Sequence, residues 1–87
     1  MSEDTLLEFP CQFPIKAMGI NSDSFENDIV MIVRRFVPQL GEAAVRSTPS
    51  RTGKYLSVTV TFTAQSKSQI NDIYRAVHAH PEVKMML

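Results

Sequence analysis

Tyr55-Leu56-Ser57-Val58-Thr59-Val60-Thr61-Phe62-Thr63-Ala64 is the stretch that decides the fold. Leu56, Val58, Val60, Phe62 and Ala64 alternate with Ser57, Thr59, Thr61 and Thr63. Side chains on a strand point to opposite faces in turn, so every large apolar group falls on one side. β-branched and aromatic residues suit such a half-buried pleated surface. The segment reads as a central strand with one buried face, and its neighbours in sequence must supply the cover.

Two flanking segments carry helical stripes. Phe25, Ile29, Ile32, Val33 and Phe36 fall at offsets 0, 4, 7, 8 and 11, on one helical face. Glu26, Asn27, Asp28, Arg34 and Arg35 fill the opposite side, acids early and arginines late, as the helix dipole favours. Asn21-Ser22-Asp23-Ser24 opens this helix, with Asp23 and Glu26 at capping-box spacing, and Pro38 and Gly41 close it. After the central strand, Ser66 and Gln69 form a second capping box. Ile70, Ile73, Tyr74 and Val77 make its stripe, and Pro81 stops the helix near His80.

Three further strands complete the pattern. Gln12–Met18 alternates Phe13, Ile15 and Ala17 against Pro14, Lys16 and Met18, and Gly19 ends it. Ala43–Thr48 has Val45 as its one large apolar residue, which with Pro49 suggests an edge strand. Ser50-Arg51-Thr52-Gly53-Lys54 is a hairpin-type connection into the central strand. Glu82–Leu87 alternates Val83, Met85 and Leu87 against Lys84 and Met86. The order strand, helix, strand, strand, helix, strand is that of an α+β ferredoxin-like βαββαβ two-layer sandwich, with antiparallel sheet order 4-1-3-2 and two helices on one face.

Composition bounds the rest. A chain of 87 residues has room for one domain, here residues 6–87 behind a flexible tail of residues 1–5. Nine Lys and Arg balance nine Asp and Glu, so the chain lacks the overall positive charge usual in duplex-binding proteins. The longest apolar run, Ile29–Val33, is far short of the ~20 residues that span a bilayer. The acidic N-terminus has no apolar signal region, and the lone Cys11 cannot form an internal disulfide, so a cytoplasmic setting is expected.

No catalytic set has convincing spacing. His78 and His80 diverge on a helix and do not share a metal as an i, i+4 pair would. Cys11 has no base near it in sequence. Thr52-Gly53-Lys54 lacks the rest of a phosphate loop and reads as a turn. A non-enzymatic domain without metal or cofactor is therefore expected. Three surfaces remain as candidates. The turn Met18-Gly19-Ile20-Asn21-Ser22-Asp23, leading into a helix start, can hold a small carboxylate metabolite. Arg46, Arg51 and Lys54 place three cations within nine residues and suit an acidic partner or anionic ligand. By parity the open sheet face carries Lys16, Met18, Arg46, Ser57, Thr59, Thr61, Lys84 and Met86, with Tyr55 near its rim. Its central positions hold no aromatic pair to stack bases, so nucleic acid is not the expected partner. Met18 and Met86 suit a covering subunit or partner protein.

Leu6-Leu7-Glu8-Phe9-Pro10, Phe13, Lys16-Ala17-Met18-Gly19, Gly53-Lys54-Tyr55-Leu56-Ser57-Val58-Thr59 and Val83-Lys84-Met85-Met86-Leu87 together resemble the bacterial YbeD-like family, over about residues 6–87. The resemblance implies a small cytosolic protein with the βαββαβ sandwich, similar to the ACT regulatory domains that sense amino acids in metabolic enzymes. Genes of that family often neighbour those of lipoate assembly, which implies a regulatory or adaptor role toward an enzyme. Side-by-side pairing of ACT domains implies a homodimer through an edge strand or helix. The family offers no ligand site to carry over.

Overall fold

The structure, a computed structural model, describes residues 8–87; the expected tail at residues 1–5 and the expected packing of Leu6-Leu7 lie outside the described residues. The alternating segment forms the strand Tyr55–Ala64, third in the chain, as predicted, and is one of the two central strands of the sheet. Val58 and Val60 are 0% exposed and Phe62 2%, so its apolar face is closed off from water. The chain runs β1 (Cys11–Ile20), α1 (Phe25–Arg34), β2 (Val45–Pro49), β3 (Tyr55–Ala64), α2 (Lys67–His78) and β4 (Val83–Met86). The sheet order is β2-β3-β1-β4, which is the predicted 4-1-3-2 read from the other edge, and every neighbouring pair is antiparallel.

Both helices lie on one sheet face. Ile15, Ala17, Val58, Val60, Phe62 and Ala64 from the sheet meet Phe25, Ile29 and Val33 from α1 and Ile73 and Val77 from α2 in one core. Of the predicted stripes, α1 buries Phe25, Ile29 and Val33 and α2 buries Ile70, Ile73 and Val77, because residues three and four apart share a face; Ile32, Phe36 and Tyr74 are half-buried, and Val30, outside the predicted stripe, is buried. At β1 the pairing with β3 is continuous from Cys11 opposite Ala64 to Ile20 opposite Tyr55.

Several boundaries differ from the sequence expectation. Gly19 does not end β1; the strand continues to Ile20. What Gly19 supplies is room, since a Cβ there would collide with the Glu82 carbonyl oxygen and the Phe25 ring. α1 stops at Arg34, two residues before Phe36. The chain then tightens into a turn, with Phe36 N–H donating to the Val33 carbonyl at 3.0 Å, because the residue before Pro38 is steered out of the helical region. Asp23 and Glu26 do not form a capping box: Ser24 is the N-cap and no side chain caps the helix. At α2 the second box is half as expected. Ser66 Oγ accepts from Gln69 N–H at 3.1 Å, while Gln69 Oε1 accepts from the N–H of Gln65, not of Ser66, at 2.7 Å. Ala43 and Ala44 belong to a short 3-10 turn, Glu42–Ala44, and β2 starts only at Val45.

The largest correction concerns β4. Met86 pairs with Ala17 and Met85 with Met18, but Val83 pairs with Gly19, so the register slips by one residue between Met18 and Gly19. Such a bulge exchanges the faces of the residues beyond it. Val83 and Met86 therefore pack toward the core, whereas Met85 and Leu87 stand on the open face. The predicted alternation had these last residues reversed: Met86 is not on the open face, and Met85 and Leu87 are not in the core.

Candidate functional site

The uncovered sheet face is built in rows by the register. Leu87 exchanges both backbone hydrogen bonds with Lys16, at 2.8 and 3.2 Å; Lys16 is opposite Thr59, and Thr59 is opposite Arg46. Directly opposed residues project on the same side of a sheet. The first row is therefore Leu87, Lys16, Thr59, Arg46. The second, two residues along, is Met85, Met18, Ser57, Thr48, and Ile20 and Tyr55 follow at the end. Met85 is 50% exposed and Leu87 64%. Apolar groups thus gather at the β4 corner of the face, Lys16 stands beside them on β1, and hydroxyls and Arg46 occupy the β3 and β2 side. A shallow recess of about 300 Å³ lies beside Arg46, between Thr59, Thr61 and Ala43-Ala44.

At one end of the sheet two of the predicted surfaces come together. Asn21 N–H donates to the Lys54 carbonyl at 3.1 Å, and its side-chain amide donates to the Gly53 carbonyl at 2.9 Å. The turn after β1 is thereby fastened to the basic hairpin loop. That loop closes through Gly53, whose φ of +78° is a backbone conformation that favours glycine, and Lys54 Nζ sits 5.6 Å from the Tyr55 ring centroid. Arg51 is exposed at the loop tip, and Arg46 stands apart on the sheet itself.

The rest of the predicted turn is occupied by its own neighbours. Gly19 is roofed by Phe25 and the Glu82 carbonyl. Ser22 Oγ donates to Glu82 Oε1 at 3.1 Å, and Asp23 is exposed. Met86, the remaining predicted contact residue, lies on the opposite side of the sheet, in a wide apolar recess of about 590 Å³ with Tyr74, Arg75, His78 and Ala79.

One polar unit was not visible from the sequence. His80 Nδ1 accepts the Glu82 N–H at 3.0 Å, which leaves the proton of the neutral ring on Nε2, where it is donated to Asp28 Oδ2 at 2.9 Å. The ring meets Phe25 edge-on, with centroids 5.6 Å apart. Asp28 and His80 are separated by 52 residues, so nothing in local spacing pairs them. With both ring nitrogens engaged, His80 fastens the start of α1 to the α2–β4 connection and is not poised as a base. Cys11 is half-buried at the far end of β1, about 26 Å along the strand from Gly19. The described residues gather no group of three or more His, Cys, Asp or Glu that could hold a metal ion.

Comparison with known proteins fits this geometry. Residues 4–87 match the family model described as "Protein of unknown function (DUF493)". The chain belongs to the DUF493 family. Other DUF493-type sequences are similar over nearly their whole length. UPF0250 protein NE1487 of Nitrosomonas europaea is 40% identical over 87 residues, covering 100% of both chains. A UPF0250 protein of Paraburkholderia phytofirmans is 45% identical over 84 residues, 97% of this chain and 94% of that one. These are the YbeD-like proteins that the sequence resembles. Among solved structures, protein HP0495 from H. pylori superimposes with a TM-score of 0.67 at 16% identity, over 93% of this chain and 85% of that chain. The ACT domain from GTP pyrophosphokinase of Chlorobium tepidum gives 0.69 at 8% identity, over 87% and 94%. Identities this low speak for the fold alone: this DUF493 member shares the ACT-like sandwich. No helix among its described residues is long and apolar enough to cross a membrane.

Proposed function

We propose that this DUF493 member is a non-catalytic binding domain that acts on a partner protein through its open sheet face. One observation carries the reading. The helix-covered face is filled by the core, while the opposite face sets Met85 beside Met18 on paired strands, with Leu87, just past β4, in the next row. Flexible, polarizable methionine side chains suit an adaptable protein contact. The ACT likeness favours a metabolic enzyme as the partner class. The link to lipoate metabolism rests only on the gene neighbourhood that the resemblance implies.

A small metabolite held at Met18–Asp23 is the lesser reading, because Gly19 is roofed and the side chains of Asn21 and Ser22 already bond to neighbours. A homodimer through the outer edge of β2 or β4 competes for the same molecule by a different surface.

Affinity capture with the full chain from a bacterial lysate, beside the double variant Met85→Ser/Leu87→Ser, tests the proposal. Wild type should retain a stoichiometric protein that the variant loses while its melting temperature holds. Equal retention by both would remove the open face from the contact. Size-exclusion mass measurement of the free chain reads the homodimer separately.

A further inference from the structure

The formal charge of zero conceals a one-sided distribution. The four strands hold three charged residues, Lys16, Arg46 and Lys84, all cationic, and no carboxylate. The β2–β3 loop adds Arg51 and Lys54, again without an acid. The described side-chain carboxylates Glu8, Asp23, Glu26, Asp28, Glu42, Asp72 and Glu82 belong to the segment before β1, the helices, the 3-10 turn and the connections. Among these carboxylates, Asp28 holds His80, Asp72 pairs with Arg75, and Glu26 accepts from Ser47. The side chains of Lys16 and Arg46 make no ion pair or hydrogen bond among the described residues.

These two cations stand on either side of Thr59 in one row. Two strand spacings separate their backbones by about 10 Å. Carboxylates two turns apart on a helix are separated by about the same distance. The apolar corner of Met18, Met85 and Leu87 adjoins the row.

We infer that the partner of the open face is an acidic amphipathic helix of another protein, its apolar stripe on Met18, Met85 and Leu87 and its carboxylates against Lys16 and Arg46. The inference rests on the binding-domain reading above and adds the chemistry of the partner. A single-stranded nucleic acid would satisfy the cations, but its phosphodiester chain cannot bury the methionine corner, and the central positions Lys16, Met18, Ser57 and Thr59 offer no ring for bases to stack on. A second copy of this chain would set cations against cations if it met face to face. Across such a rim, charge complementarity chiefly sets register and encounter rate, while the apolar corner supplies holding power.

Carbodiimide coupling joins a lysine amine to a carboxyl group in contact with it as an amide with no spacer, the carboxyl oxygen leaving with the carbodiimide as a urea. The test is capture from bacterial lysate, with and without nuclease treatment, on wild type, Lys16→Glu/Arg46→Glu, Lys16→Gln/Arg46→Gln and Met85→Ser/Leu87→Ser, followed by coupling on wild type and mass spectrometry. Wild type should retain a protein joined to Lys16 through an Asp or Glu of a helical segment. The charge-reversed pair should retain it at least about tenfold more weakly, and the neutral pair should fall between. Retention should also weaken as salt shortens the screening length below about 8 Å. Circular dichroism of each variant checks that the fold stands. Retention unchanged in both charge variants but lost in Met85→Ser/Leu87→Ser overturns the acidic partner and leaves the binding face intact. A protein bound equally by all variants, or none bound by wild type, overturns both. Loss of retention on nuclease treatment turns the cationic row toward nucleic acid.

Discussion

At the scale of single residues, Gly19 and His80 show how little local sequence says about packing. Gly19 reads as a strand terminator, yet its place is inside β1, beneath Phe25 and against the Glu82 carbonyl. Because one obstructing atom is backbone, an added methyl cannot be relieved by a rotamer change. Gly19→Ala should destabilise the chain by about 1–3 kcal/mol, the usual cost of overpacking, as read from urea unfolding. An unchanged midpoint would mean that β4 and α1 yield together and that Gly19 is there for another reason. His80 reads as one of two diverging histidines without a shared ligand, but it bonds to Asp28 across 52 residues and to the Glu82 backbone. Neither role has a local signature, since each depends on which elements the fold lays side by side.

At the scale of elements, the two helix starts make a controlled comparison. Both carry the residue types of a capping box, but only Ser66 is placed to accept the N–H of Gln69. Asp23 is one position too early, because Ser24 holds the N-cap without a side-chain bond. Ser66→Ala should therefore cost about 1 kcal/mol, whereas Asp23→Ala should change stability by less than about 0.5 kcal/mol. Thermal melts of the two variants side by side decide it, and equal losses would contradict the assignment of caps. The helices themselves, the central strands and β2 as an edge follow from periodicity, since a stripe at helical spacing or a strict alternation has one way to bury itself. The β4 faces do not. Its alternation is real, but the slip opposite Gly19 inverts what the alternation means, exchanging Met86 for Met85 and Leu87 on the open face.

At the scale of the whole molecule, the two sheet faces should respond oppositely to substitution. Ile29 is 0% exposed between helix and sheet, and Ile29→Ala should cost about 2–5 kcal/mol, a large part of the stability of so small a fold. Met85→Ser/Leu87→Ser should leave unfolding of the free chain within about 0.5 kcal/mol per residue of wild type, because both side chains are at least half exposed and neither packs in the core. A large loss in the second variant would show that the open face is covered in the free protein. The sequence by itself determined the element order, the sandwich class and the sheet order, because these depend on the period of apolar residues and on how a chain of this length can bury them in one layer. It also held the three cationic strand residues, Lys16, Arg46 and Lys84, but its last strand began at Glu82, and only the structure set that acid outside β4. Only the tertiary structure decided which methionine faces outward, that the turn at Asn21 is fastened to the Lys54 loop, and that Lys16 and Arg46 share a row. Register, bulges and contacts between distant segments arise from the fit of surfaces that are neighbours in space but not along the chain.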